Sequence, residues 1–154
     1  MYAVIRVRGN ISVIPKIRKT FEFLNLNTVN SMSIWPENKQ TLKMIKLVEN
    51  HATFGIIDDA TVKELVEKKG KALKGELDAE KAVKGLLEGK RAKEVNLKNC
   101  FKMSPPKQGY DRKGIKKPYS LGGALGNRKE KINEIIKRMM WILWLKDKDE
   151  RKTK

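Results

Sequence analysis

The residues best suited to chemistry lie between positions 105 and 128, in the stretch PPKQGYDRKGIKKPYSLGGALGNR. Five glycines, three prolines and six Lys/Arg residues accompany a single acid, Asp111. Glycine and proline at this density exclude a helix interior or a central strand. A loop of this length inside a compact chain is usually functional or disordered. The composition therefore predicts a long, strongly basic loop without secondary structure of its own.

Cations and aromatic rings share this loop, and together they are suited to RNA. Lysine and arginine bind phosphates, while a tyrosine ring can stack on a base or a sugar. We therefore predict that the loop becomes ordered against RNA. The predicted contact residues are Lys107, Tyr110, Arg112, Lys113, Lys116, Lys117, Tyr119 and Arg128. The alternative is a flexible loop whose charge is merely solvated.

The charge of the whole chain also favours a polyanionic partner. The 154 residues carry a net charge of +17 at pH 7, and 40% of them are hydrophobic, which is enough for one domain with a core. A compact domain of this charge repels itself and favours nucleic acid or an anionic membrane surface. With one cysteine, Cys100, and one histidine, His51, the chain cannot form an internal disulfide or a His/Cys zinc site.

Neither an enzyme nor a membrane protein is indicated by these residues. No Ser/His/Asp or Cys/His constellation is present, so we predict no catalytic residue, metal or cofactor. The start, MYAVIRVRG, lacks the apolar core of a signal peptide, and the longest apolar run, residues 139–145, is far shorter than a membrane span of about 18 residues. We therefore expect a cytoplasmic protein. A final helix ending in WILWL leaves an interfacial position on a membrane as the alternative to core packing.

Three strands and two helices are predicted within residues 1–57. Alternating apolar residues predict strands over residues 2–8, 29–35 and 52–57. Apolar residues at three- and four-residue spacing predict one helix from about 15 to 25, with Ser12 as its N-cap, and a second helix after Asn38. The first strand, helix and strand have the spacing of a crossover unit that packs one helix on a sheet.

Cations in this first part of the chain extend the predicted RNA surface. Alternation places Arg6 and Arg8 on the outer face of the first strand. The first helix carries Lys16, Arg18 and Lys19 near its N-terminal half, where positive charge opposes the helix dipole. Such a local conflict hints at function. A solvated helix face is the alternative.

The chain is predicted to form one structural domain with four parts. Residues 1–57 form the α+β core, and residues 58–95 form a peripheral helical insert with helices capped by Asp58 and Asp78. Residues 96–145 supply a returning strand, the basic loop and a final helix capped by Asn127. The core positions of that helix are Ile132, Ile135, Ile136, Met139 and Leu143. Residues 146–154 form a charged, frayed tail.

Several segments, in this order along the chain, resemble one family. They are IRVRG, KIRKTFEFLNL, the pair Asn30/Ser31, TFGIID, and FKMSPPKQGY…KGIKKPYSLGGALGNR…INEIIKRM. Together they resemble the archaeal form of large-subunit ribosomal protein thirty, whose eukaryotic counterpart is numbered seven. The resemblance covers residues 2 to about 140, and the Pro-Pro…Gly-Gly…Leu-Gly loop is its most specific part. The long basic N-terminal extension of eukaryotic members is absent, which favours an archaeal source.

The resemblance implies a fold and a role. It implies an α+β fold with a β-α-β-α-β core related to the ferredoxin-like fold, in which helices pack on one face of a small sheet. It also implies a monomeric structural constituent of the large ribosomal subunit that contacts 23S rRNA, lies near 5S rRNA and adjoins other ribosomal proteins. A non-ribosomal RNA chaperone, or a subunit of a ribosome-assembly or RNA-modification factor, is the alternative.

Three features depart from the family pattern. The second helix lacks the Arg-Gly-Met common at its start, Asp111 interrupts the basic run, and the chain after Met140 extends past the usual end.

Overall fold

A mixed five-stranded sheet forms the centre of the computed structural model, which describes residues 1–11, 13–75 and 78–141. The strands are β1 (Tyr2–Arg6), β2 (Ser31–Trp35), β3 (Ala52–Ile56), β4 (Phe101–Lys102) and β5 (Gly126–Asn127). Their order across the sheet is β4-β2-β1-β3-β5. Strand β1 is antiparallel to both β2 and β3, β4 is antiparallel to β2, and β5 is parallel to β3.

Five α-helices accompany the sheet in the described part of the chain. They are α1 (Pro15–Phe23), α2 (Lys39–Leu47), α3 (Asp59–Lys69), α4 (Ala79–Leu87) and α5 (Ile132–Met139). Short 3₁₀ turns span Tyr119–Leu121 and Lys129–Lys131. The predicted α+β class and the β-α-β-α-β order of the core are confirmed. No helix among these residues has the length and apolar character to cross a membrane.

The predicted N-caps are right in position for α2, α3 and α4. Asn38, Asp58 and Asp78 occupy those positions, although none makes a side-chain capping hydrogen bond. In α1 the N-cap position belongs to Ile14, while the predicted cap, Ser12, lies outside the described residues.

Three other sequence predictions need correction. The first strand, helix and strand do not form a parallel crossover, because β1 and β2 are antiparallel neighbours. The strand predicted over residues 97–103 is confined to Phe101–Lys102. The final helix begins at Ile132 rather than after Asn127, because residues 126–127 join the sheet as β5. Leu143, Trp144 and the tail 146–154 lie outside the described residues.

Helices cover both faces of the sheet. The α1 and α2 residues Phe21, Leu24 and Ile45 pack with Val4 of β1 and Phe54 of β3. The core helices thus share one face, as predicted.

On the opposite face, Ala3 and Ile5 of β1 share a cluster with Leu65 of α3, Leu86 of α4 and Ile136 of α5. The predicted insert therefore contributes buried residues to the same core as the first strand. The predicted divisions at residues 57 and 95 remain predictions.

Gly55 brings the C-terminal part of the chain against the sheet. A Cβ atom at this position would lie 2.1 Å from the carbonyl oxygen of Lys129 and 2.8 Å from the Cβ of Ile132. The sequence predicted either a bulge or a close backbone approach here, and the close approach is confirmed. Because glycine has no side chain, the turn before α5 can pack directly on β3.

Candidate nucleic-acid interface

A buried arginine anchors the C-terminal end of the basic loop. Arg128 is only 5% exposed, and its Nε donates to Thr53 Oγ1 at 2.9 Å. Its Nη2 contacts the Asp111 carboxylate and donates to the carbonyl of Ala124 at 3.2 Å. The guanidinium also stacks on the Tyr119 ring, 4.6 Å from the ring centroid. Arg128 therefore anchors the loop to β3, and its partners at this site are other residues of the same chain.

The N-terminal end of the loop is anchored to the fold in a similar way. The Tyr110 hydroxyl donates to Asn30 Oδ1 at 2.7 Å, and burial raises the pKa of Tyr110 to about 12 despite the opposing effect of Arg128. Arg138 of α5 donates to the carbonyl of Lys107 at 3.1 Å, and Trp141 Nε1 donates to the carbonyl of Pro105 at 2.8 Å. Both ends of the loop are thus anchored to the fold.

Backbone hydrogen bonds order the middle of the loop. The amide of Lys113 donates to the Gly122 carbonyl at 3.2 Å, and the amide of Leu125 donates to the Lys117 carbonyl at 3.2 Å. Gly123 permits the tightest approach, because a Cβ there would lie 2.1 Å from the Lys117 carbonyl oxygen. The protein itself therefore supplies the order that the sequence analysis assigned to RNA.

Most of the predicted contact residues are exposed, either on the ordered loop or on α1. The exposed loop cations are Lys107, Arg112, Lys113, Lys116 and Lys117, and the exposed α1 cations are Lys16, Arg18 and Lys19. Within the described residues, none of these eight side chains forms an ion pair. They are available to an anionic partner.

The exposed position predicted for Arg6 is wrong. Arg6 is 1% exposed, and its Nη1 donates to the carbonyls of Leu26 at 2.7 Å and Asn27 at 3.2 Å. Its guanidinium carbon lies 4.2 Å from the Phe21 ring centroid. Arg6 therefore ties the end of β1 to the end of α1 instead of facing solvent.

A cavity of about 410 Å³ joins the loop to the end of β1. It brings together two predicted contact residues that are distant in sequence, Arg8 and Lys116, and it is also lined by Glu49 and His51. Burial, followed by the charges of Arg8 and Arg6, lowers the pKa of His51. A phosphate here would meet two cations beside a neutral imidazole.

The residues that anchor the loop were not found by sequence reasoning. Asp111 was treated as a defect in the basic run, whereas it pairs with Arg128. Thr53 and Asn30 were assigned only to strands, and nothing in their spacing indicates a loop 75 or 80 residues later. The one sequence feature that pointed to this anchoring is Asp111, the only acid among the six Lys/Arg residues of the loop. In the described chain, no group of three or more His, Cys, Asp or Glu residues could hold a metal ion.

These features define a class: a small, basic α+β protein that presents cations from an ordered loop. The family model described as Ribosomal protein L30p/L7e matches residues 2–51. Proteins named large ribosomal subunit protein uL30 match most of the chain. The one from Methanococcus vannielii is 39% identical over 90% of this chain and 99% of its own length. Those from Nanoarchaeum equitans and Aeropyrum pernix are 38% and 35% identical, over 90% and 91% of this chain and 97% and 99% of their own lengths.

The chain therefore belongs to the L30p/L7e family of ribosomal proteins. The resemblance to the archaeal form is confirmed, since these relatives are archaeal.

Proposed function

We propose that the chain is a structural constituent of the large ribosomal subunit that binds and stabilises rRNA. The family and the names of the archaeal relatives support the ribosomal role. The observation that carries RNA binding is the loop itself, where exposed lysines project from a backbone held by buried Arg128. The expected partners are 23S rRNA, in the neighbourhood of 5S rRNA, and adjoining large-subunit proteins. The protein acts there as a monomer, in the cytoplasm and without a membrane or an enzymatic step.

The binding mechanism is electrostatic contact from a pre-formed surface. Arg8 and the exposed cations of the loop and α1 contact phosphates, so recognition depends on the shape of the RNA backbone more than on bases. Arg6 and Arg128 act from inside by holding this surface in place. Tyr119 stacks on Arg128, and the Tyr110 hydroxyl donates to Asn30, so both tyrosines help to hold the loop to the fold. A loop ordered in advance loses less conformational entropy on binding.

Co-sedimentation with large ribosomal subunits tests the proposal. The protein should be present at about one copy per subunit and should remain after a high-salt wash. Substoichiometric protein that is lost in the wash would contradict the proposal and would instead support an assembly factor or an RNA chaperone.

A further inference from the structure

A second concentration of positive charge lies outside the loop and α1. Five lysines surround a depression of about 360 Å³ together with Gly70 and Cys100: Lys68, Lys69, Lys71, Lys98 and Lys102. We refer to these five residues as the lysine cluster. No carboxylate lines this depression. The cluster differs in this respect from the depression beside α4, where lysines alternate with Asp78, Glu88 and Glu94.

Backbone pairing holds the lysine cluster together. The end of α3 runs into a short bridge between Ala72 and Leu97, next to which the amide of Lys98 donates to the Lys71 carbonyl at 2.9 Å. Lys102 lies on β4, whose register places it opposite Ser31 of β2. The fold therefore fixes lysines from two separate segments around one depression.

The cluster is electrostatically unfavourable in the isolated protein. Lys68 pairs with Glu64 at 3.4 Å, and within residues 1–11, 13–75 and 78–141 the other four lysines form no ion pair. Burial, and then the charge of Lys71, lowers the pKa of Lys69. Like charges held together in this way destabilise a fold unless an anion binds among them.

We propose that the lysine cluster binds the phosphate backbone of a second RNA segment, separate from the segment bound at the loop. This inference rests on the proposed rRNA-binding function. Strand β4, which carries Lys102, lies at one edge of the sheet, and β5, whose Gly126 lines the same cavity as the loop's Lys116, lies at the other. Four strand spacings separate them, about 19 Å, and the two edges face away from each other. The protein therefore acts as a clamp, with one RNA segment bound at each edge of its sheet.

The chemistry of the depression favours RNA over an acidic protein. Protein interfaces are anchored by aromatic or aliphatic side chains and are depleted in lysine. Here the lining consists of lysines with one glycine and one cysteine. A lysine ammonium binds a phosphate as a point charge without requiring a planar, bidentate partner.

Cys100 provides a direct test, because it lines the depression and is the chain's only cysteine. An iron–EDTA probe attached to Cys100 would cleave RNA near the cluster in the complex with large-subunit rRNA. The matched reporter is a C100S/S120C double variant, which carries the same probe on the exposed 3₁₀ turn of the loop.

Cleavage of two different rRNA segments by the two probes is the expected result. Loop cleavage without cleavage from Cys100 would overturn the clamp while leaving the proposed function intact, and it would indicate that a protein or solvent covers the cluster. Cleavage of the same segment by both probes would also overturn it. If neither probe cleaves and the protein does not bind rRNA, the proposed function itself fails.

Charge removal provides an independent test that does not place a probe in the depression. In one variant Lys71, Lys98 and Lys102 are changed to glutamine. In the control, the insert lysines Lys81, Lys84 and Lys90, which line a depression with carboxylates, are changed in the same way. Both variants lose the same net charge from the same part of the chain.

The cluster variant should lose one of two hydroxyl-radical footprints on rRNA and keep the footprint of the loop. The slope of log K against log salt should become shallower by about 2 to 3, because each phosphate contact contributes about 0.7–0.9. The control should keep both footprints. Equal effects of the two variants, or an unchanged footprint in the cluster variant, would overturn the proposal.

Discussion

Arg6 shows how a charged residue can organise a structure from within. Its guanidinium satisfies the carbonyls of Leu26 and Asn27 at the end of α1 and that of Arg8 at 2.9 Å, and it covers the Phe21 ring. Removing such a group leaves buried carbonyls without donors. The function of Arg6 is therefore structural, although it carries the same charge as the exposed cations of the loop and α1.

We predict that Arg6→Met lowers the free energy of unfolding by about 2–4 kcal/mol, because about two buried carbonyls lose their partners. Urea unfolding followed by circular dichroism measures the change. Arg8→Met is the control, since the Arg8 side chain bonds only to the exposed Asn50 carbonyl at 3.2 Å among the described residues, and its loss should change stability by about 0.5 kcal/mol or less. Equal losses in both variants would refute the internal role of Arg6.

His51 reports on the cavity between Arg8 and Lys116. Its pKa is lowered by burial and by Arg8 and Arg6, so the folded protein favours the neutral imidazole. The unfolded chain binds a proton at about pH 6.5. Stability from this residue is therefore present above that pH and decreases as the pH falls toward the lower folded value.

We predict that rRNA binding raises the pKa of His51. Phosphate in the cavity, which Arg8 and Lys116 line together with Glu49, would offset the positive charge that lowers the pKa of His51. The chain has one histidine, so its imidazole signals can be followed by NMR through a pH titration of the free and bound protein. An unchanged pKa in the complex would place the cavity outside the interface.

Sequence patterns predicted exposure correctly for the cations of the loop and α1 other than Arg128, and incorrectly for Arg6. Alternation along residues 2–8 placed Arg6 with Val4 on one face correctly, but charge suggested that this face was exposed. The acceptors that make burial favourable are backbone carbonyls of Leu26 and Asn27, which carry no sequence signature. The internal position of Arg128 was missed for a different reason, because its side-chain partners Thr53 and Asp111 lie 75 and 17 residues away and no local pattern connects them to it.

At the scale of elements, the basic loop is an ordered segment that holds exposed lysines at fixed positions. Its anchors are Arg128, Tyr110 and Arg138, whereas Lys113, Lys116 and Lys117 are exposed. The side chains that anchor this segment are therefore different from the side chains that we propose bind RNA. This separation makes the two functions distinguishable by mutation.

We predict that changing Lys113, Lys116 and Lys117 together to alanine weakens rRNA binding and reduces the salt slope by about 2 to 3. The free energy of unfolding should change little, since exposed side chains away from special features contribute within about 0.5 kcal/mol each. Filter binding at several salt concentrations and thermal unfolding measure the two effects. Alanine at Lys81, Lys84 and Lys90 is the control. A large loss of stability in the loop variant would show that these lysines belong to the core.

Gly55 controls the contact between β3 and the turn before α5. We predict that Gly55→Ala destabilises the fold by about 1–3 kcal/mol, because the added methyl would collide with the Lys129 carbonyl and the Ile132 side chain. Gly9→Ala is the control, since nothing lies within 4 Å of a Cβ at that position. Chemical denaturation compares the two variants. Similar stabilities would mean that the turn moves away from β3 without consequence.

The elements with strong periodicity were predictable, and those made by tertiary pairing were not. The apolar spacing in residues 79–87 and the break at Gly70 located α4 and the end of α3. Strand β5 consists of Gly126 and Asn127 alone and exists only because β3 lies beside it, so no local pattern indicates it. Asn127 does accept a hydrogen bond at its Oδ1 from the Lys129 amide at 2.8 Å, but this bond lies at the start of the 3₁₀ turn and does not cap α5.

At the scale of the whole molecule, the net charge of +17 affects folding and binding in opposite directions. Repulsion among the cations destabilises the free protein, whereas the same cations attract RNA. Salt weakens both effects, because the Debye length shrinks from about 30 Å at 0.01 M to about 3 Å at 1 M.

We predict that added salt raises the melting temperature of the free protein while it lowers the affinity for rRNA. Calorimetry and filter binding over the same salt series test this opposition. Potassium chloride is the appropriate salt, because sulfate would also stabilise the fold by exclusion from the surface. A melting temperature that does not depend on salt would show that the repulsion is already neutralised within the fold.

The basic character of the molecule and the position of its basic loop could be inferred from composition, and the family could be inferred from short motifs. The arrangement of helices on the second face could not. Residues 58–95 are predicted to be peripheral, with residues 68–91 rich in Lys, Glu, Gly and Ala, yet Leu65, Val83 and Leu86 belong to the central cluster. Only a few apolar residues are needed to close a face, so average composition hides them.

The covering of both faces of the sheet by helices has a consequence for biosynthesis. Ala3 and Ile5 emerge from the ribosome early, while Ile135 and Met139, which cover the same face, are made last. At about 5–20 residues per second, the roughly 80 residues that separate β3 from the end of α5 take about 4–16 s to synthesise. For that interval the face has α3 and α4 but lacks the cover that α5 supplies. We therefore expect newly made protein to need chaperones, or prompt contact with RNA, until α5 packs.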